Sequence, residues 1–235
     1  YRKTKNSYLL DELIYIWKRR GDFFKLKKKE SVSKKDLKNL KYVFFPMVAE
    51  PEVALHGTAQ DFFFQLSAIN MISRDLPADY ILLVKEHLLA VGRRPDNFYE
   101  QIHDLKNVKF ANSLDHGLDY VKNAKIVACI TGTAAWEAAV MGIPVISFSK
   151  NNIYNFLNHV YCVESPDSTK EIIPKIILKN YPNKESLLDG ARFYNAYMKN
   201  MININDANLF MSWQNMDKNL ENYVAVLTEN LLKKN

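Results

Sequence analysis

Thr131-Gly132-Thr133-Ala134-Ala135 is a run of small residues directly after the apolar stretch Ile126 to Ile130 and at the start of a helical pattern. Small side chains let a phosphate approach backbone N–H groups, and a helix beginning there adds its positive end. The hydroxyls of Thr131 and Thr133 supply further donors. The segment suits a monophosphate or a diphosphate. Glu137 lies one turn inside the same helix, where its carboxylate can accept from both hydroxyls of a ribose. A capping box is the structural alternative, but it places the acid three residues after the cap, and Thr133 to Glu137 is a spacing of four.

A second cluster, Lys85-Glu86-His87, follows the apolar run Tyr80 to Val84, and Gly92-Arg93-Arg94-Pro95 comes shortly after it. Lys85, His87 and Arg94 at a strand end can neutralise a phosphate or a sugar carboxylate. A third set, Glu50, Glu52, His56 and Asp61, shares a loop with Gly57 and offers groups for proton transfer. His103, His116 and His159 are scattered without metal-ligand spacing, so no metal site is expected and they read as surface or core histidines. Asp115 reads as a helix cap and Phe62-Phe63-Phe64 as core. Neither a Walker loop nor a Gly-x-Ser-x-Gly elbow occurs, which argues against kinase and hydrolase chemistry.

These groups need a scaffold. Tyr42 to Phe45, Tyr80 to Val84, Val108 to Phe110, Ile126 to Ile130 and Pro144 to Phe148 read as short buried strands. Helical patterns over Asp61 to Leu76, Asn97 to Leu105, Asp115 to Asn123 and Ala134 to Met141 separate them, the last closed by Gly142. The alternation predicts an α/β fold, a Rossmann-like parallel sheet with helices on both faces. In such sheets ligands bind beyond the carboxyl ends of the strands, where both clusters stand. An amphipathic helix over Ser7 to Phe24 precedes the sheet, and Thr169 to Leu178, Lys184 to Met198 and Asn219 to Leu232 read as helices after it. The expected organisation is a helix with a basic linker over 1–40, a nucleotide-binding domain over 41–165 and a helical extension over 166–235 that packs on the same domain.

Nearly half of the residues are hydrophobic, which argues against disorder. The surplus of positive charge gathers in the first forty residues, where it reads as a solvated linker able to make peripheral contact with an anionic membrane. With little aromatic interleaving and no matching motif, nucleic acid is not an expected partner. Cys129 and Cys162 read as buried free thiols, consistent with a reducing, cytoplasmic setting. The chain begins at Tyr1 rather than Met, and a preceding domain is expected.

The order Phe44-Phe45-Pro46, Pro51-Glu52, Lys85-Glu86-His87, Gly92 with Arg94-Pro95, Phe98-Tyr99-Glu100, Thr131-Gly132-Thr133 with Glu137, and Gly142 with Pro144 resembles the capsule polysaccharide biosynthesis proteins. These are glycosyltransferases of the two-Rossmann-domain type that include bacterial Kdo transferases. The resemblance covers roughly residues 42 to 160 and departs from the family at Leu88, where the family carries proline. It implies one half of such an enzyme, which moves a sugar from a CMP-, UDP- or GDP-linked donor to a polysaccharide or lipid-linked glycan at the inner face of the membrane, with no cofactor. Lys85 and His87 would face the donor phosphate, and Thr131, Gly132, Thr133 and Glu137 would hold the nucleotide. Glu52, then His56, would deprotonate the acceptor or act as nucleophile. A sugar-nucleotide epimerase, a polyol-phosphate transferase and a non-catalytic nucleotide-binding module are the alternatives.

Overall fold

The computed structural model describes residues 5–50, 57, 59–62 and 64–200, with side chains from Leu10 to Lys199 within that range. Seven strands form one all-parallel sheet: β1 (Glu30–Val32), β2 (Tyr42–Pro46), β3 (Ile81–Lys85), β4 (Val108–Ala111), β5 (Ile126–Cys129), β6 (Val145–Ser147) and β7 (Val160–Cys162). Their spatial order is β1-β4-β3-β2-β5-β6-β7. The helices are α1 (Lys5–Lys29), α2 (Gln65–Asp75), α3 (Phe98–His103), α4 (Gly117–Asn123), α5 (Thr133–Val140), α6 (Ser168–Lys179) and α7 (Lys184–Asn200). The Rossmann-like α/β fold expected from the alternation of patterns is therefore present.

The central strands are apolar on both faces because both faces are covered. Along β2, alternate side chains enter opposite layers. Val43 and Phe45 join Ile69, Ile72, Leu82, Val84 and Ile173, the layer of α2 and α6. Tyr42 and Phe44 join Tyr120, Ala135, Ala138 and Ala139, the layer of α4 and α5. The alanines of α5 bring that helix close to the sheet, while Phe44 stacks on Tyr120 and the Tyr42 hydroxyl donates to the Tyr120 carbonyl at 2.7 Å.

The chain builds outward from β2 through β3 to β4, then returns to add β5 on the other side of β2. The direction of winding thus reverses between β2 and β5, which opens a crevice at their carboxyl ends.

Three segments differ from the sequence reading. The lysine-rich stretch expected as linker is the last part of α1 followed by β1, which pairs with β4 and extends the sheet. β7 is not among the strands read from the sequence; with three residues it is too short to show a period. Phe64, expected in the core, is 71% exposed at the start of α2, whereas Phe62 packs edge-on against Phe148. One compact unit runs to Phe193 and a second comprises Tyr194–Asn235. The helix expected over Asn219 to Leu232 lies outside the described residues.

Candidate functional site

The loops after β2, β3, β4 and β5 surround a cavity of about 660 Å³ whose wall includes Lys85, His87, Ser113, His116, Thr133 and Glu137. A second cavity of about 430 Å³ adjoins it and adds Thr131 and Gly132, the two sharing Pro46, Met47, His87, Leu89, Thr133 and Ala134. Together they make one cleft at the reversal point of the sheet.

On the β5 side, Gly132 takes φ of +121° as it leads into α5. Without a side chain it cannot cap the helix, so the first N–H groups of α5 are left to solvent or ligand. Because the helix starts at Thr133, Glu137 falls outside capping-box geometry. Thr131 is only 5% exposed, and its hydroxyl has no hydrogen-bond partner among the described residues; the same holds for the buried Ser113 hydroxyl. Buried hydroxyls are ordinarily paired, so both are open to a polar partner.

Glu137 is half-buried and its carboxylate makes no hydrogen bond or ion pair among the described residues. Burial holds its carboxyl above the usual range, partly offset by the nearby His116. Opposite stands Lys85, whose ammonium donates to the Ser113 carbonyl at 2.9 Å. Burial depresses its proton affinity, against the pull of Asp115, Glu30 and Glu86. An arriving anion would restore it.

The two imidazoles adopt the same local arrangement. His87 Nδ1 accepts from the Leu89 N–H and His116 Nδ1 from the Leu118 N–H, both at 3.3 Å. That assignment leaves Nε2 as the proton-bearing nitrogen of each neutral ring, a donor available to the cleft. His116 is a cleft residue that the sequence reading passes over. Its signal is its position just past β4, on the same sheet edge as Lys85 and Thr131. It also caps α4, the role expected of Asp115. Asp115 instead accepts from the Lys34 N–H at 3.0 Å and from the Tyr120 hydroxyl at 2.8 Å, contacts that offset burial and leave its carboxyl below the usual range.

Arg94 is a correction. Only 3% exposed, it does not line the cleft but sits behind it, spending its guanidinium inside the protein. Two of its nitrogens donate to Glu86 at 2.9 and 2.8 Å, another to Glu50 at 2.9 Å, and the Val48 carbonyl accepts at 2.8 Å. Burial alone would weaken its hold on the proton, but the two carboxylates outweigh that and strengthen it. Gln65 joins the network by accepting from the Val48 N–H at 2.7 Å and donating to Glu50 at 2.8 Å. Arg94 thus ties the loop after β2 to the loop after β3. Glu52 and His56 lie outside the described residues.

Among the described residues no cluster of His, Cys, Asp and Glu could hold a metal ion. Cys129 is buried, whereas Cys162 is only half-buried, its thiol pushed up by burial and by Glu164.

No family model matches the chain, and no curated protein matches it in sequence. Solved structures do resemble it in architecture. The β-Kdo 2,7-transferase KpsC of Thermosulfurimonas dismutans is 14% identical with a TM-score of 0.43, over 76% of this chain and 53% of that one. The UDP-GlcNAc 2-epimerase of Methanocaldococcus jannaschii is also 14% identical, with a TM-score of 0.48 over 76% and 49%. The spinosyn rhamnosyltransferase SpnG complexed with thymidine diphosphate is 12% identical, with a TM-score of 0.43 over 68% and 42%. The chain spans about half the length of the first two.

Proposed function

We propose that this chain is the nucleotide-sugar-binding part of a glycosyltransferase. The observation that carries the reading is the convergence, in one cleft at the reversal point of the sheet, of an uncapped helix start, an unpaired buried Thr131 hydroxyl, a partly buried Lys85 and an unpaired Glu137. The cleft joins cationic and N–H groups suited to phosphate with a carboxylate suited to a diol. Glu137 stands one helical turn beyond Thr133, so a nucleotide whose phosphate lies against the start of α5 would bring its ribose hydroxyls toward that carboxylate.

Catalysis in this reading is stabilisation of the departing phosphate. The N–H groups of α5, Lys85 and the Nε2–H groups of His87 and His116 oppose the negative charge that grows as the glycosidic bond to the donor breaks. Burial leaves Lys85 poorly solvated, which strengthens its interaction with that charge. The acceptor is a surface polysaccharide or a glycolipid, whose hydroxyl Glu52 or His56 deprotonates. Kdo carried by CMP is the donor favoured by the order of motifs, which is the resemblance to the capsule polysaccharide proteins.

Since the chain spans about half of the proteins it resembles in fold, the test is binding rather than turnover. Thermal unfolding is followed with CMP, UDP, GDP and their sugar conjugates, on the native chain and on Glu137→Ala. One nucleotide should raise the melting midpoint of the native chain, and the rise should shrink markedly in the variant. A full rise in Glu137→Ala would remove the ribose role, and no rise with any nucleotide would remove the proposal.

A further inference from the structure

Helix α1 has two unlike faces. One is turned to the domain: Leu26 is buried, Phe23 packs against the core, and Arg19 lies so near Gly92 that an added Cβ there would stand 2.8 Å from its Cα. The other carries Leu10, Leu13, Ile14, Trp17 and Phe24, all more than half exposed and Trp17 72% so. At about 100° per residue these five side chains fall in one sector roughly 100° wide. Arg20, Lys25 and Lys28 stand within or beside that sector, and the Arg20 guanidinium lies 5.9 Å from the Phe24 ring. Asp11 and Glu12 project elsewhere on the helix, and Asp22, also off the sector, pairs with Lys25 at 3.6 Å, leaving that exposed ammonium at the edge of the sector.

The charge is as lopsided as the polarity. α1 holds eight Lys and Arg against three acids, a surplus of five out of the six that the whole chain carries. Among the described residues no helix is long and apolar enough to cross a membrane. An apolar sector rich in Leu, Ile and aromatic residues, edged by cations on a helix that cannot span, is the composition of a helix that lies in a bilayer surface. A protein interface core would be depleted of lysine, whereas Lys28 falls inside this sector and can extend its ammonium to headgroups while its stem remains apolar.

We propose that α1 docks the protein on an anionic lipid surface, with Leu10, Leu13, Ile14, Trp17 and Phe24 inserted among the headgroups and Arg20, Lys25 and Lys28 on the acidic lipids. The apolar and the electrostatic contributions are both required, as single signals give only marginal anchoring.

The full chain is sedimented with vesicles of phosphatidylcholine alone and of phosphatidylcholine mixed with phosphatidylglycerol. It should pellet with the mixed vesicles only, less so as salt is raised, and the double variant Leu13→Glu/Trp17→Glu should bind at least about tenfold more weakly. Both positions are exposed, and an unchanged thermal midpoint shows that the variant is folded. Trp17 emission should shift to shorter wavelength on binding, a change absent in Trp17→Phe, which still pellets. Equal binding by the double variant, or no binding to mixed vesicles, overturns the proposal. Self-association that the double variant abolishes, without vesicle binding, would make the sector a face for a second copy of the chain.

Discussion

Burial raises the proton affinity of Glu137 and lowers that of Lys85, and the charges around each offset the shift only in part. The raised proton affinity of Glu137 in the fold has a definite sign. The folded state holds that proton more tightly than the unfolded chain, so ionised Glu137 subtracts from stability above its raised pKa and the loss is recovered as pH falls through it. Glu137→Gln should therefore melt slightly higher than the native chain at neutral pH in the absence of nucleotide, yet respond less to it; a lower midpoint would show that the carboxylate has an internal partner. By the same proton, nucleotide affinity should decline as pH is lowered toward that pKa, already above the range of an exposed carboxylate. Arg94 behaves oppositely. Its removal leaves Glu86, only 1% exposed, without its counter-charge, and Arg94→Met should cost about 3–5 kcal/mol in urea unfolding. A loss of nucleotide affinity at unchanged stability would instead return Arg94 to the ligand. Residue types and spacing are enough to single out Thr131, Glu137, Lys85 and His87, because each follows a legible strand. They do not disclose that Arg94 turns inward, since two carboxylates from different loops, Glu50 and Glu86, capture it only in three dimensions.

The central strands and their crossover helices are legible for a physical reason: a strand buried on both faces must be apolar throughout, and β2, β3 and β5 are close to that pattern. The edge elements escape because β1 and β7 have three residues each, and β1 follows the lysine run at the end of α1, where local composition opposes a strand. Gly142 illustrates an element boundary whose conformation and surroundings agree. It ends α5 at φ of +70°, and a Cβ there would stand 2.8 Å from the Leu187 backbone nitrogen. Gly142→Ala should cost about 1–3 kcal/mol, read as a lower urea midpoint with an unchanged slope. A neutral effect would mean that the connection between α5 and β6 can relax away from α7.

Across the whole molecule, the sheet brings to one edge groups that the sequence separates by more than fifty residues, from Pro46 at the end of β2 to Glu137 in α5. The cleft is made by the reversal of winding rather than by any single loop, so its parts should be lost together on unfolding. α7 contributes from the far side. Gly190 approaches the carboxyl end of α5 so closely that a Cβ there would stand 2.3 Å from the Val140 carbonyl oxygen and 2.7 Å from that of Ala139. The end of α5 away from the cleft therefore has a backstop. An eight-residue helix braced in this way cannot slide along its axis, and the N–H groups at its other end hold their spacing before any ligand arrives. Recognition then requires little reorganisation, and stiffness set by a remote glycine becomes part of the affinity. Gly190→Ala should weaken nucleotide binding in calorimetry even under conditions where the variant remains folded, although residue 190 never meets the ligand.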